Sequence, residues 1–248
     1  MNVKSKSTAA HTTLITGGNS GIGAAIGAQL LGAGQRVVSL GLALPESEHD
    51  NLIAYTCDLT DAAATGELAH EIAAKHQIDQ LVHNAGLILP NLLPQAEPED
   101  ILTLAQLHLA APMALTQAVL PHMEAKGYGR VLFISSRAAM GVPTRTAYSA
   151  TKAGIHGMAR TWALELAPKG ITVNVVAPGP VLTDNFWGIV PKDGELQQKI
   201  AGGIPVGRIG TVDDIANAAA FFLDEGSAFV TGQVLFVCGG ASLGGLSL

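Results

Sequence analysis

The sequence predicts an α/β fold, a doubly wound parallel sheet of about seven strands with helices on both faces. Short β-rich runs alternate with helical runs along the 248 residues. The strand-like runs are continuously apolar rather than alternating, which is typical of a parallel sheet covered on both faces. No linker, repeat or low-complexity stretch interrupts this alternation, so we expect one domain over residues 1–248.

Seven runs predict strands because each is rich in apolar or β-branched residues and is bounded by turn-forming or polar residues. The predicted strands are Thr12–Thr16, Arg36–Leu40, Leu52–Thr56, Asp79–His83, Arg130–Ser135, Ile171–Val176 and Gln233–Val237. Five longer runs carry apolar residues at helical spacing. The predicted helices are Gly21–Ala33, Ala62–His76, Pro98–Lys126, Ala147–Ala167 and Val212–Asp224.

Two of these helices, 98–126 and 147–167, carry apolar residues around most of their circumference. One face of each helix packs on the sheet, and a helix that is apolar all round has to bury its other face as well. A subunit interface is the simplest partner, which predicts a homotetramer or another homo-oligomer. The alternative is a helix buried inside a single domain.

Composition excludes several classes of protein. Hydrophobic residues make up 48 % of the chain and charged residues 14 %, the opposite of a disordered sequence. The net charge of −6 and the absence of a Lys/Arg cluster argue against a nucleic-acid partner or a membrane partner. Every long apolar stretch is interrupted, and no secretory signal is visible. Two cysteines, Cys57 and Cys238, suit a reducing compartment, so we expect a cytoplasmic protein.

A glycine-rich loop, Thr16-Gly-Gly-Asn-Ser-Gly-Ile-Gly23, stands between the first predicted strand and the first predicted helix. Glycines allow the tight turn and let the backbone approach a pyrophosphate, and the helix N-terminus supplies free N–H groups with partial positive charge. In this position the loop indicates a dinucleotide site. It is not a Walker A loop, because no Lys-Ser/Thr pair follows.

The end of the second strand normally distinguishes NAD from NADP. An acidic residue there binds the ribose of NAD, and a basic residue binds the NADP phosphate. Gly41 and Leu42 supply neither charge, and Ser20 in the loop is not basic. Because no cation is placed for the extra phosphate, NAD is favoured over NADP.

Tyr148 and Lys152 are four residues apart at the start of the second long helix, so their side chains share one face. A nearby ammonium favours the phenolate and lets a tyrosine act as acid or base at a carbonyl or an alcohol. Ser135 and Ser136 close the preceding strand, where a hydroxyl is placed to bind the substrate oxygen.

These motifs together resemble the short-chain dehydrogenase/reductase family over nearly the whole chain. The residues that carry the resemblance are the loop 16–23, Asn84-Ala85-Gly86, Ser136, Tyr148 with Lys152, Asn174 to Gly179, Thr183, Thr231-Gly232-Gln233 and Gly239-Gly240. The resemblance implies a Rossmann-like fold, hydride transfer at nicotinamide C4, no metal, and tetramers built through the two long helices.

By this resemblance Tyr148 is the acid/base, Ser136 positions the substrate oxygen, and Lys152 binds the nicotinamide ribose and depresses the tyrosine pKa. Asp58 contacts the adenine, and the backbone near Pro178 together with Thr183 holds the nicotinamide amide. The cofactor-binding candidates are Gly17, Asn19, Ser20, Gly21, Ile22, Gly23, Gly41, Leu42, Asp58, Leu59, Asn84, Ala85, Gly86, Tyr148, Lys152, Pro178, Gly179, Val181 and Thr183.

The chain departs from the family pattern at His108, which stands where the family has an asparagine that helps a water relay protons to the lysine. A histidine still forms such hydrogen bonds, and it titrates near pH 6.5, so the relay is expected to gain a pH dependence. The alternative is an ordinary replacement without special chemistry. The segment from Gly41 to Cys57 is also short, which opens the adenosine end of the site.

Substrate contacts are expected from the variable segment 184–203, the family's lid, where Phe186 and Trp187 either line an apolar pocket or anchor the lid to the body. Arg137 and Arg145 flank Ser136 and Tyr148 in a chain with only 14 basic residues. They are candidates for binding an anionic substrate, and the alternative is surface or intersubunit charge.

The leading functional hypothesis is an NAD(P)-dependent oxidoreductase that interconverts a secondary alcohol and a ketone of a small cyclic or hydroxylated metabolite. One alternative is a 3-oxoacyl-thioester reductase, although no convincing basic patch for a thioester carrier is visible. A second alternative is a non-catalytic dinucleotide-binding regulator, whose only support is His108.

Overall fold

A seven-stranded parallel sheet organises the computed structural model, which describes residues 10–183, 186 and 194–243. The strand order is β3-β2-β1-β4-β5-β6-β7, and all six neighbouring pairs are parallel. The doubly wound α/β prediction is confirmed. The strands are β1 (Thr12–Thr16), β2 (Arg36–Gly41), β3 (Leu52–Thr56), β4 (Gln80–His83), β5 (Gly129–Ile134), β6 (Ile171–Pro178) and β7 (Val234–Val237).

Burial explains why the central strands are continuously apolar in sequence. Every residue of β4, β5 and β6 is buried, since helices cover both faces of the sheet. The edge strands β3 and β7 are only partly covered, and their sequences are correspondingly less uniform. Observed strand ends differ from the predicted ends by one or two residues at most.

Helices alternate with the strands as predicted, but the longest predicted helix is not continuous. Residues 98–126 form α3 and α4 separated by a π-helical turn, Gln106–Ala110. The turn inserts one extra residue, which the apolar spacing does not reveal. The helices are α1 (Gly21–Gly32), α2 (Ala62–Lys75), α3 (Pro98–Ala105), α4 (Ala111–Lys126), α5 (Thr146–Leu166), α6 (Glu195–Gly202) and α7 (Val212–Leu223).

Side-chain caps fix where two of the helices begin. The Asp61 carboxylate accepts hydrogen bonds from the first-turn N–H groups of Ala63 and Ala64 in α2. Thr211 and Asp214 form a reciprocal capping box at the start of α7, and Arg208 pairs with the same carboxylate at 2.6 Å. Each cap satisfies backbone donors that a helix start leaves without partners.

Two hydrophobic cores lie on opposite faces of the sheet. Helices α1 and α7 pack against each other and cover one face, with Ile26, Leu30 and Phe222 among the buried residues. Helices α2, α4 and α5 cover the other face, with Ile72, Leu115 and Ile155 in its core. These two layers hold the carboxyl ends of the strands at one edge of the sheet.

The opposite, amino edge is closed by a cluster around Asp79, which we call the Asp79 clasp. The Asp79 carboxylate accepts hydrogen bonds from Lys126 at 2.6 Å, His122 at 3.1 Å and the backbone N–H of Thr12 at 3.2 Å. Burial raises the pKa of Asp79, but these hydrogen bonds together with the Lys126 charge outweigh burial and hold the pKa below its usual value. The clasp joins β1, β4 and the end of α4.

The helices α3, α4 and α5 leave large apolar side chains on the surface. Leu102 is 68 % exposed, Met113 45 % and Leu164 82 %. The predicted apolar residues on the side away from the sheet are therefore accessible to another subunit. In the part of the chain that is described, no helix combines the length and apolarity needed to cross a membrane.

Candidate active site

A cleft of about 590 Å³ opens at the carboxyl edge of the sheet. Its walls come from the loops after β1, β4, β5 and β6 and from the start of α5. The chain leaves β1 toward β2 and β3 and then crosses back past β1 to β4, so the direction of strand order reverses beside β1. Crevices for ligands in doubly wound sheets form at this switch in strand order.

The backbone of the loop after β1 packs closely against its neighbours. A side chain at either of two of its glycines would collide with them. A Cβ at Gly23 would lie 2.1 Å from the carbonyl oxygen of Gly17. Gly17 itself has φ +62°, and a Cβ there would lie 2.8 Å from Nδ2 of Asn84. The backbone is therefore exposed where a phosphate group is expected to approach.

Asn84 and Thr16 connect the glycine loop to the end of β4. The Asn84 amide donates to the carbonyl oxygens of Thr16 at 3.1 Å and Gly17 at 3.0 Å. The Thr16 hydroxyl oxygen accepts from the backbone N–H groups of Asn84 and Ala85. Asn84 was expected to line the cofactor cleft, and the structure also gives it this loop-holding contact.

The N-terminus of α1 points its first amides at the cleft. Ser20 is the N-cap residue, and its side chain makes no capping hydrogen bond. The first turn contains no acidic residue, and Ser20, Gly21 and Ile22 line the cleft. Donor groups and helix dipole are thus available to an anion, so the residues present fit a dinucleotide pyrophosphate.

The expected adenosine end lies beyond the loop, at the end of β2. Ser39 donates to the Asn19 side chain, which in turn donates to the carbonyl oxygen of Ala43. Leu42 is 79 % exposed. No Lys or Arg occurs between Arg36 and Lys75, so this end of the site has no nearby cation from its own segment.

Asp58 and Leu59 follow β3 but take different positions. The Asp58 carboxylate is exposed and accepts hydrogen bonds from the hydroxyl and N–H of Thr60, which lower its pKa. Leu59 is buried in the core below the cleft. Neither residue lines the cleft, although Asp58 remains accessible at the same edge of the sheet.

Tyr148 and Ser136 meet in the cleft. Burial raises the pKa of Tyr148, while a hydrogen bond with Ser136 and the charge of Arg145 act in the opposite direction. Ser135 differs, because its hydroxyl donates to the backbone oxygen of Lys152 at 2.9 Å. Of the two serines, Ser136 is the one that contacts the tyrosine.

Lys152 is buried, and its Nζ donates to the carbonyl oxygen of Ile134 at 2.9 Å. Burial lowers the pKa of Lys152 to about 7. The nitrogen lies 5.6 Å from the ring centre of Tyr148. In the cofactor-free protein burial is the largest influence on the Tyr148 pKa and raises it, so the expectation that Lys152 depresses this pKa stays a prediction for the cofactor complex.

His108 lies inside the π-helical turn and is buried. Its Nδ1 lies 2.9 Å from Oγ1 of Thr151, and that hydroxyl donates to the carbonyl of Ala147 one turn earlier. Nδ1 is then the donor, and Nε2 carries the lone pair. Burial and the neighbouring Lys152 lower the pKa of His108 to about 2. The expected titration near pH 6.5 is therefore wrong, since this imidazole stays neutral.

His108 and Lys152 face the same small space beside Gly86. A Cβ at Gly86 would lie 3.4 Å from Nε2 of His108 and 3.5 Å from Nζ of Lys152. Nε2 has no hydrogen-bond partner among the described residues. A buried cavity of about 10 Å³, also lined by Thr16 and His83, adjoins both side chains and has room for about one water molecule.

The far end of the cleft holds the substrate candidates Arg137, Arg145 and Phe186. Arg137 follows Ser136, and Arg145 lies three residues before Tyr148. The Phe186 N–H lies 3.3 Å from the Thr183 hydroxyl oxygen, which anchors the start of the expected lid. Trp187 and most of 184–193 lie outside the described residues. The described residues contain no group of three or more His, Cys, Asp or Glu suited to a metal ion.

The cleft gathers most, but not all, of the predicted residues. The predicted residues that line it are Gly17, Ser20, Gly21, Ile22, Asn84, Ala85, Gly86, Ser136, Arg137, Arg145, Tyr148, Lys152, Pro178, Gly179, Val181, Thr183 and Phe186. Asn19, Gly23, Gly41, Leu42, Asp58, Leu59 and His108 stand behind or beside it. Sequence reasoning missed the apolar contributions of Ile88 and Val142, whose only signal is proximity to motif residues, and did not single out Ile200 within the expected lid segment 184–203.

Comparison with known proteins identifies a matching family model and enzymes of similar sequence. A family model described as enoyl-(acyl carrier protein) reductase matches residues 17–242. The subunit BbsD of (2S)-[(R)-hydroxy(phenyl)methyl]succinyl-CoA dehydrogenase from Thauera aromatica is 43 % identical over 182 residues, 73 % of this chain and 72 % of that protein. The 3-oxoacyl-[acyl-carrier-protein] reductase FabG of Rickettsia bellii is 36 % identical over 237 residues, 93 % of this chain and 96 % of that protein.

Solved structures agree with these relatives. A proposed NAD(P)-dependent gluconate 5-dehydrogenase from Beutenbergia cavernae, with NADP bound at low occupancy, superposes with a TM-score of 0.86 at 32 % identity. The match covers 95 % of this chain and 98 % of that one. A short chain dehydrogenase family protein from Francisella tularensis subsp. tularensis SCHU S4 gives a TM-score of 0.88 at 25 % identity, covering 95 % and 100 %.

Proposed function

Since the chain belongs to the short-chain dehydrogenase/reductase family and is an NAD(P)-dependent oxidoreductase, we propose that Ser136, Tyr148 and Lys152 interconvert a secondary alcohol and a ketone at this cleft. The observation that carries the proposal is their convergence beside a glycine loop shaped for a pyrophosphate. The chain's relatives are named as enzymes, so the alternative of a non-catalytic regulator is not retained.

Tyr148 is the proposed proton donor and acceptor. Its raised pKa keeps the phenol protonated in the free protein, so it is ready to donate a proton to a ketone oxygen in the reducing direction. Ser136 holds the same substrate oxygen through its hydroxyl. When bound, the nicotinamide cofactor supplies or accepts the hydride. In the oxidising direction, Ser136 and the charge of Arg145 favour removal of the phenolic proton.

Lys152 and His108 are proposed to connect Tyr148 to the protein interior. With a pKa of about 7, the Lys152 amine gains and loses a proton readily at neutral pH. Neutral His108 offers the lone pair of Nε2 on the same side of Gly86. His108 thus takes the place of the family's asparagine as a hydrogen-bonding residue rather than as a titrating one.

The cofactor-binding residues of this proposal are those of the glycine loop, Asn84 to Gly86, and the 178–183 segment, with Lys152 at the ribose. We favour NAD over NADP because the segment from Gly41 to Ala74 offers no Lys or Arg for an additional phosphate. Asp58 stays the candidate for the adenine, as an exposed carboxylate at this edge of the sheet.

A small hydroxylated metabolite is the proposed substrate. Arg137, Arg145 and the Ser136 hydroxyl give the substrate end of the cleft several polar groups, beside the apolar side chains of Ile88, Val142 and Ile200. The segment 184–203 serves as a lid in this proposal, since Phe186 and Ile200 from it already contribute to the cleft wall.

A 3-oxoacyl thioester is the second candidate substrate. It is favoured by the relatives named as a 3-oxoacyl-[acyl-carrier-protein] reductase and as a (2S)-[(R)-hydroxy(phenyl)methyl]succinyl-CoA dehydrogenase subunit. The same catalytic residues serve either substrate, so parallel assays with polyol or hydroxy-acid substrates and with acetoacetyl-CoA decide between them.

We also propose a cytoplasmic homotetramer. The exposed apolar side chains Leu102, Met113 and Leu164 supply the surface that a second subunit would cover. Sedimentation velocity of the purified protein tests this, and a stable monomer would contradict it.

The decisive test of the enzyme mechanism is Tyr148→Phe. Removing the phenolic hydroxyl is expected to lower kcat by about 10²–10⁴-fold while NADH binding, followed by fluorescence, is retained. Tyr55→Phe is the matched control, because the Tyr55 hydroxyl contacts His76 at 2.9 Å and does not line the cleft. Near-normal turnover by Tyr148→Phe would overturn the assigned role.

A further inference from the structure

Two arginines stand at the substrate end of the cleft, one next to Ser136 and one near Tyr148. Arg137 follows Ser136 at the start of a short 3₁₀ helix, and Arg145 is the N-cap residue of α5, three residues before Tyr148. Both are half-buried and line the same cleft as Ser136 and Tyr148. A substrate whose oxygen contacts Ser136 and Tyr148 is therefore close to both guanidinium groups.

The charge of the cleft is opposite to that of the whole chain. The protein carries a formal net charge of −6, yet no described residue that lines the cleft is acidic. Arg137, Arg145 and Lys152 are its basic side chains among the described residues, and the two arginines carry a permanent positive charge. Because guanidinium groups stay charged at any working pH, this end of the cleft attracts an anion.

Neither arginine is neutralised by a described carboxylate. Arg208, Lys126 and Lys169 each form an ion pair, whereas Arg137 and Arg145 form none within residues 10–183, 186 and 194–243. The Nε of Arg137 is buried without a hydrogen-bond partner in this part of the chain. A buried N–H donor without a partner is costly, so a ligand that accepts from it gains affinity.

Arg145 is held in place by an unusual backbone residue. Thr144 is the only described non-glycine residue with positive φ, at +66°. Its hydroxyl accepts from Nη1 of Arg145 at 2.7 Å, and its carbonyl accepts from the N–H of Asn91 at 3.1 Å. The Nη1 side of the Arg145 guanidinium is thereby fixed. Its other N–H donors have no partner among the described residues and are available to a ligand.

The cofactor phosphates do not account for these arginines. The phosphate loop follows β1, and an NADP 2′-phosphate is read at the end of β2. Arg137 follows β5, which is three strand positions from β2, or about 14 Å at the usual strand spacing.

We propose, on the basis of the proposed function, that Arg137 and Arg145 together bind a carboxylate of the substrate, so that the enzyme acts on hydroxy acids and oxo acids. Planar guanidinium groups bind carboxylates in paired hydrogen bonds, which also fixes the orientation of the reacting carbon. Phosphate offers similar acceptor oxygens, so the experiment below separates the two anions.

The test compares matched ketones, one of each pair carrying an anionic group and the other its neutral counterpart. Pyruvate, acetoacetate and levulinate are each assayed beside their methyl esters, and dihydroxyacetone phosphate is assayed beside dihydroxyacetone. For the acid with the best turnover, wild-type kcat/KM is expected to exceed that of its ester by at least ~10-fold, the scale of one charge-assisted contact. A preference confined to dihydroxyacetone phosphate would overturn the carboxylate assignment in favour of a phosphate.

Three variants test which residues cause the preference for the acid over its ester. Arg137→Met and Arg145→Met are each expected to lower the acid-to-ester ratio about 10-fold or more, mainly through KM. Arg36→Met removes an exposed arginine at the start of β2 and is expected to leave the ratio unchanged. If both cleft variants lose activity toward the acid and toward its ester in equal proportion, the arginines do not bind the carboxylate.

Calorimetry separates this inference from the proposed function. The same acids and esters are titrated into wild-type protein saturated with NAD. Carboxylate-selective binding without turnover of any ketone would refute the proposed reaction and keep the arginine assignment. Turnover of acid and ester with equal kcat/KM and equal affinity would keep the reaction and refute the arginine assignment.

Discussion

Nδ1 of His108 lies 2.9 Å from the hydroxyl oxygen of Thr151, and this contact joins the π-helical turn before α4 to the helix that carries Tyr148 and Lys152. Because Thr151 is adjacent to Lys152, the position of the histidine bears directly on the lysine. The contact is made by a neutral imidazole, since burial lowers the pKa of His108 to about 2.

His108→Asn is expected to keep activity within a few-fold and to leave the acid limb of the pH–rate profile in place. The imidazole does not titrate in the folded protein above about pH 3, so its removal takes no ionisation out of the profile. The measurement is kcat/KM between pH 5 and pH 9. A displaced acid limb would show that His108 does change its charge during catalysis.

The same variant is expected to change stability at acid pH instead. An unfolded histidine takes up a proton below about pH 6.5, whereas folded His108 does not, so the wild-type protein loses stability as pH falls. Between pH 7.5 and pH 5 this loss is about 2 kcal/mol, and His108→Asn abolishes it. Urea unfolding at both pH values measures the difference, and equal losses for both proteins would contradict it.

Lys152→Met is expected to stabilise the cofactor-free protein more at pH 7 than at pH 9. Between a folded pKa of about 7 and the unfolded value of 10.5, only the unfolded chain holds the lysine proton, so wild-type stability rises with pH. Methionine removes this dependence, and the gain at pH 7 exceeds that at pH 9 by about 2 kcal/mol. Thermal unfolding at the two pH values measures it, with Lys199→Met on α6 as an exposed control. An identical gain at both pH values would mean that the buried amine keeps an ordinary pKa.

Gly23→Ala is expected to abolish cofactor binding. The added Cβ would lie 2.1 Å from the Gly17 carbonyl oxygen, so the phosphate loop has to move. Gly32→Ala in the same helix is the control, because its Cβ meets nothing within 4 Å. NADH titration by fluorescence measures both variants. Normal affinity in Gly23→Ala would show that the loop tolerates a side chain and that the binding site lies elsewhere.

Leu42→Arg is expected to shift cofactor preference toward NADP, and Leu42→Asp toward NAD. Leu42 is exposed at the end of β2, so either charge is accommodated without disturbing the core. A charge here is expected to change the NADPH-to-NADH affinity ratio about 10-fold in its own direction, the scale of a charged hydrogen bond. Parallel titrations of the two variants give the ratio, and identical ratios would place the adenosine ribose away from Leu42.

Local sequence patterns predicted the sheet well, because burial on both faces imposes one simple requirement on β4, β5 and β6. The glycine loop and the Tyr148–Lys152 spacing were also visible, since each depends on a short stretch of chain. The π-helical turn at His108 was not visible, because one extra residue in a turn leaves the apolar spacing nearly unchanged.

Charge states were the least predictable part of the site. Whether Lys152 keeps its proton depends on groups distant in sequence that bury it, and no carboxylate among the described residues forms an ion pair with it. The partners of Asn84 and Ser135 depend in the same way on contacts between segments far apart in the chain. Sequence spacing therefore indicates which residues meet but not the electrostatic environment in which they meet.

The Asp79 clasp lies at the amino edge of the sheet, and the cleft opens at the carboxyl edge. Every residue of the central strands β4, β5 and β6 is buried between them, so a change at one edge reaches the other through a closely packed layer. Heat tolerance and substrate choice are therefore adjustable by separate sets of substitutions. Attachment to a support, or stabilising substitutions, at the amino edge of the sheet are therefore expected to leave the turnover rate unchanged.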